Sequence, residues 1–186
     1  MLSEPDPIWP EAGRLRPAIP FPPYRHVPGV TPHPIKDPKG HSHGKENDSF
    51  VLCTPVDWRE DDAYLFGIDL YHYSYFWESH EVWEAIWQQS EKSGVQGQFI
   101  QALIQNSAAQ MKVHAAEPVG TRRLCRAVVK RLGFVQENAT TEADGRYMGI
   151  DLAKLLEQVK RHYGPMLCCD NGPLQLVGRP PRLCTE

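Results

Sequence analysis

Between Trp77 and Trp87 the chain sets three tryptophans, three glutamates and one histidine in the run Trp77-Glu78-Ser79-His80-Glu81-Val82-Trp83-Glu84-Ala85-Ile86-Trp87. Read at about 100° per residue, Phe76, Trp83 and Trp87 share one stripe, with His80 beside it and Glu84 and Trp77 at its margin. Tyr75, Val82 and Ile86 form a second apolar sector, which leaves Glu78, Glu81, Ala85, Gln88 and Gln89 on the polar face. Such a helix has to be buried over more than half its circumference. It therefore demands helical neighbours, and it carries His80 and Glu84 towards the covered side.

The neighbours are legible. A first helix is expected from Asp57 to about Leu70, broken at Tyr71-His72-Tyr73, and Ser74 is placed to cap the tryptophan helix, which runs to Gln89 or Ser90. Gly94 precedes a third helix, Val95 to Ala116. Glu117-Pro118 opens a fourth that reaches about Leu132, with proline where its missing N–H does no harm. After a polar, broken stretch from Gln136 to Gly149, Asp151 opens a last helix that Gly164-Pro165 stops. No strand pattern of comparable length is present. The expected fold is all-α, a compact bundle of about five helices with the second and third as its central antiparallel pair.

On the third helix Phe99, Ile100, Leu103, Ile104 and Met111 make the apolar face, and Gln96, Ser107, Gln110 and His114 lie within that sector. Gln98, Gln101, Gln105 and Lys112 point outward. Polar groups inside two facing apolar surfaces predict a buried polar cluster of His80, Glu84, Gln96, Ser107, Gln110 and His114, because a buried carboxylate is costly unless hydrogen-bonded or paired. Three uses of that cluster are open. It can be structural, fixing the helix register. It can bind metal, since His80-Glu81-Val82-Trp83-Glu84 is the zincin HExxH pattern with its second histidine replaced by Glu84; a divalent metal is then the cofactor, held by His80 and Glu84. It can be a metal-free acid/base or ligand pocket.

Eleven of the 17 prolines lie in residues 1–50, most densely from Pro17 to Pro38. That density excludes helix and removes donors from any sheet. Residues 1–54 are thus expected to form an extended Pro/His-rich arm, wrapped on the domain from about residue 17 through Phe21, Tyr24, Val27, Val30 and Ile35 and ending in the loop Gly40–Asp48. Residues 55–165 are the bundle and 166–186 a tail. His33, His41 and His43 in the arm could ligate metal, but a solvated loop accounts for them, and His41 or His43 reaching His80 is the geometry worth seeking.

A net charge of −3 and a pI near 6.2 argue against nucleic acid or an anionic membrane as the main partner. A protein partner, a small ligand and self-association stay open. Arg122, Arg123, Arg126 and Lys130 share a side of the fourth helix that reads as a solvated face. The start, Met1–Pro7, has neither a basic segment nor an apolar run, and no apolar stretch approaches a bilayer span, so a soluble, cytoplasmic chain is expected. Five cysteines without CxxC spacing (Cys53, Cys125, Cys168, Cys169, Cys184) suggest neither disulfides nor a zinc ribbon.

The run from Leu70 to Trp87 resembles the signature of family 309 among the domains of unknown function: an aromatic pair, an acid, a small residue, His-Glu, then an acid in the next turn. Gln96-Gly97, Leu103-Ile104-Gln105 and Ala108-Ala109 are similar to that family's second block, and His114 falls where it often has histidine or lysine. Its third block, Gly-Ala, is Gly120-Thr121 here. The resemblance spans residues 60–132, and the arm resembles an extension of longer members. It implies a compact, all-helical bacterial domain of cytoplasmic location, without an established activity, and makes His80, Glu81 and Glu84 the positions to test. Two functional classes follow. One is a helical interaction module whose polar cluster is structural or ligand-binding. The other is a metal-dependent, hydrolase-like enzyme with His80 and Glu84 as ligands and Glu81 as general base.

Overall fold

A computed structural model describes residues 8–9, 13–45 and 51–185. The readings of Met1–Pro7 and of Glu46–Asp48 lie outside these residues. Among the described residues six α-helices follow one another: α1 (Asp62–His72), α2 (Phe76–Trp87), α3 (Val95–His114), α4 (Pro118–Asn138), α5 (Leu152–His162) and α6 (Gly164–Cys168). A two-residue ribbon, β1 (Arg146–Tyr147) against β2 (Ile150–Asp151), interrupts them, so the expected helical bundle stands with one small addition.

Local chemistry sets the ends. The segment expected to be helical from Asp57 divides into a short 3-10 turn, Trp58–Glu60, and α1, because the Asp61 carboxylate accepts from Tyr64 N at 2.8 Å and starts the helix there. Asp151 caps α5 in the same way, through Lys154 N at 2.9 Å. Pro118 occupies the first turn of α4, which runs six residues past the expected Leu132. Gly164-Pro165 ends α5 as read but then begins α6, proline being harmless in a first turn. Ser74 does not cap α2. It sits at φ +66°, and Tyr75 N donates back to Leu70 O at 2.9 Å, so a left-handed residue reverses the chain between α1 and α2. In the ribbon Met148 and Gly149 both have positive φ, which suits a two-residue hairpin turn, and the turn lies against Trp58 and accepts the Tyr64 hydroxyl at Met148 O.

α3 packs between α2 and α4, with α1 on α2 and α5 on α4. Phe76 meets His114 while Ser79 meets Ser107, so α2 and α3 run antiparallel. The core is continuous from Tyr64, Ile68 and Trp83 through Phe99 and Leu103 to Val128, Leu132 and Val159. Trp83 is fully buried with its indole N–H on Tyr64 O at 3.1 Å, and it lies so close to α1 that only a glycine, Gly67, fits beneath it. Behind it runs an interior polar chain. Asn106 donates to the Tyr71 hydroxyl, Tyr163 donates to Asn106 Oδ1, and Gln110 donates to Tyr163 and to His162.

The arm lies along α1 and the start of α2. Both oxygens of buried Asp69 accept from its backbone, Leu15 N and Arg16 N, each at 2.7 Å. Phe21 stacks among Phe66, Tyr73 and Tyr75, capped by the Arg14 guanidinium, and the Tyr75 hydroxyl donates to Pro22 O. The tail returns across the bundle, pairing Val177 with His162 and giving Leu183 N to His72. It also covers α4: Arg122, read as solvated, is buried and donates to Gly172 O, and Arg126 pairs with Asp170. Likewise Gln98 and Gln105, read as outward, face α4 and accept from Arg131.

Candidate functional site

One turn of α2 brings His80, Glu81 and Glu84 together. His80 Nδ1 is 3.2 Å from Glu81 Oε1, and Nε2 is 3.5 Å from Glu84 Oε2. One ligand atom from each of the three lies within 4.8 Å of the others. Burial acts to lower the His80 pKa, but the adjacent Glu81 carboxylate and the charge of Glu84 outweigh it and raise it above its ordinary 6.5. The imidazole between the two carboxylates therefore binds a proton more tightly than a free histidine does. An imidazole nitrogen with two carboxylates is also a donor set that first-row divalent ions accept, with room for water.

The expected withdrawal of His80 and Glu84 from water is only partial, with side-chain exposures of 22% and 40%. The covered side of α2 is occupied by Phe76, Ser79, Trp83 and Ile86, which pushes this pair to the rim. Nor does α3 complete it. Gln96 donates to Cys53 O, Ser107 shares a hydrogen with Ser79 at 2.9 Å, and Gln110 belongs to the interior chain with Tyr163 and His162. His114 is exposed, with its ring against Phe76. Among the described residues none of the four hydrogen-bonds to His80 or Glu84. The single polar cluster expected from the helical wheels is thus dispersed: His80 and Glu84 stay together at the rim, and Gln96, Ser107, Gln110 and His114 each lie in a separate setting.

The residue those wheels assigned to solvent is the one the arm covers. Glu78 is buried, and its Oε1 accepts from His26 N at 2.8 Å and from His41 Nε2 at 3.1 Å. His41 thus reaches Glu78, two residues short of His80. Its Nδ1 lies 2.8 Å from the Ser42 hydroxyl, so an imidazole with its hydrogen on Nε2 is satisfied at both nitrogens. Around the pair, the rings of His26, His33 and His41 meet Trp77 edge-on. The His26 pKa is lowered, burial outweighing the attraction of Glu78.

Between the arm and this face of α2 lies a groove of about 550 Å³. Phe21 and three prolines of the arm form one wall, Phe66 and Leu70 of α1 the floor, and Trp77, Glu78, Glu81, Val82 and Ala85 the other wall. The second oxygen of Glu78, Oε2, is buried without a hydrogen-bond partner among the described residues. Glu81 thus borders both the groove and His80. Sequence reasoning missed Glu78 because a wheel considers one helix alone. The signal available was the arm's apolar residues, which needed a surface to cover, next to Trp77 at the margin of that helix.

Residues 64–124 match the family model described as Domain of unknown function (DUF309), a stretch from α1 into α4 that includes Glu78, His80, Glu81 and Glu84. No curated protein and no solved structure matches the chain. Over residues 64–124, then, this chain resembles the DUF309 family.

Proposed function

We propose that this chain is a helical binding module that holds a small ligand in the groove between its arm and α2. One observation carries the reading: a buried carboxylate, Glu78, stands in the groove wall with one oxygen unpartnered. Leaving a buried acceptor unmade costs about 1–3 kcal/mol, more when it is charged. A ligand that donates to Oε2 recovers that loss. The groove's volume falls within the range of small-molecule sites, and its walls are largely apolar with few polar groups, the usual balance for such a site. The test is an NMR titration of the full chain with small aromatic fragments. Shift changes centred on the Trp77 indole and on Val82, abolished by the groove-filling Ala85→Phe, support the module; changes scattered elsewhere, or unaffected by that variant, refute it.

A second reading is favoured by the three donors within 4.8 Å of one another: metal-dependent hydrolysis, with His80 and Glu84 as ligands and Glu81 as general base. A metal there would supply a Lewis acid and an activated water at the groove's edge. Elemental mass spectrometry of purified protein is its test. Near-stoichiometric zinc, iron or manganese that His80→Ala removes with the fold intact would favour it; metal-free protein after growth with each metal would sink it.

A further inference from the structure

The charge of the groove goes beyond the statement that something binds there, and it rests on that reading. Two carboxylates, Glu78 and Glu81, face the groove from α2. α1 contributes only apolar side chains, Phe66 and Leu70. The arm contributes His41, whose Nε2 is already committed to Glu78, Ser42, whose hydroxyl lies on His41, and Lys45, which is exposed at the rim where water screens it. The Arg14 guanidinium on Phe21 is answered by Asp69, 3.7 Å away. The enclosed part of the groove is therefore anionic. The position best placed for a ligand's polar group is beside a buried oxygen that can only accept, so the ligand must donate there. Next to it are the rings of Trp77 and Phe66, whose faces attract cations and pack against apolar bodies, while Phe21 already carries the Arg14 guanidinium on one face.

We propose that the ligand class is an organic cation: a primary or secondary ammonium on a compact apolar body, its N–H donating to Glu78 Oε2 and its body lying against Phe21, Phe66 and Val82. Among the described residues that line the groove, an anion would meet two carboxylates and, in return, one screened lysine. A neutral alcohol could donate to Oε2 but would leave the Glu78 charge unanswered, whereas Glu81 already has the His80 imidazole 3.2 Å away. At Glu78 itself a bare metal ion would find, among the described groove residues, one unpartnered buried oxygen against an apolar wall, too few ligands for any common divalent ion.

The experiment is calorimetric titration of the full chain with three probes that share a phenyl ring and differ in charge: phenethylammonium, 2-phenylethanol and 3-phenylpropionate. The expected result is phenethylammonium at least tenfold tighter than the alcohol, with the carboxylate weakest. In Glu78→Gln, which keeps the acceptor and removes the charge, the preference for the ammonium over the alcohol should shrink by tenfold or more while the alcohol's own affinity holds. Should that variant fail to fold, the three wild-type affinities decide the matter alone. Affinities that ignore charge, or that favour the carboxylate, overturn the cation inference but leave a binding groove. If none of the three binds at millimolar concentration, the groove reading itself falls, and the inference with it.

Discussion

His41 Nε2 stands 3.1 Å from Glu78 Oε1, across 37 residues of chain, and on the same oxygen lies the backbone N–H of His26. One side chain thus tethers the arm to α2 at two points, as Asp69 tethers it to α1 at Leu15 and Arg16. Glu78→Ala should free both donors at once. The expected cost is about 1–3 kcal/mol. Amide exchange should quicken across residues 20–42 and stay unchanged in α3 and α4. Unaltered exchange in the arm would show that Glu78 does not hold it.

A second relationship fixes α1 on α2. A Cβ placed on Gly67 would come within 2.1 Å of Trp83 Nε1, the atom that donates to Tyr64 O. Trp83 has no room to retreat in a packed core, so Gly67→Ala should overpack the interface and lower stability by about 1–3 kcal/mol. Thermal unfolding measures it, and a melting temperature unchanged within a degree would contradict this account.

These two contacts mark what the sequence could and could not disclose. The helices were legible because their apolar spacing, the Gly94 and Pro118 boundaries and the Asp151 cap act within a few residues of one another. Trp83 was placed in the core from its stripe alone. Ser74 misled, since its left-handed φ serves a tertiary reversal and not a cap. Glu78 and Arg122 misled for a shared reason: irregular segments, the arm and the tail, cover faces that a wheel leaves open. Extended chain has no periodicity from which its resting place can be read. His80, Glu81 and Glu84 came together because an i, i+1, i+4 spacing is local, whereas Gln96, Ser107, Gln110 and His114 each found another partner along the length of α3.

The tail gives a prediction about pH. His72 is buried and accepts from Leu183 N at 3.2 Å, and burial first, then the nearby Arg182 charge, push its pKa down to about 4. Below the unfolded value of 6.5 the unfolded chain takes up a proton that the native one refuses. The stability present above pH 6.5 is therefore lost as pH falls towards 4, by up to roughly 3 kcal/mol. His162, also lowered by burial and holding Val177, adds in the same direction. His72→Gln keeps an acceptor for Leu183 and does not titrate. Denaturant unfolding at pH 7, 6 and 5 should show a shallower decline for the variant, and parallel declines would refute the assignment.

His80 carries the opposite sign. Burial lowers its affinity for a proton, but Glu81 and Glu84 more than restore it, so its folded pKa lies above 6.5. Its contribution to stability is complete below pH 6.5 and is lost as pH rises through the folded value. Following the His80 ring by NMR should give a midpoint above 6.5 in the wild type, moved downward in Glu84→Gln. A wild-type midpoint at or below 6.5 would remove the ion-pair account. The same titration separates the two uses of the turn, because metal and proton compete for one imidazole nitrogen. If zinc binds there, adding it at pH 7 must displace the His80 proton and flatten the titration, and Glu84→Gln must restore it. A curve indifferent to zinc would leave His80, Glu81 and Glu84 as a proton-holding turn beside the groove.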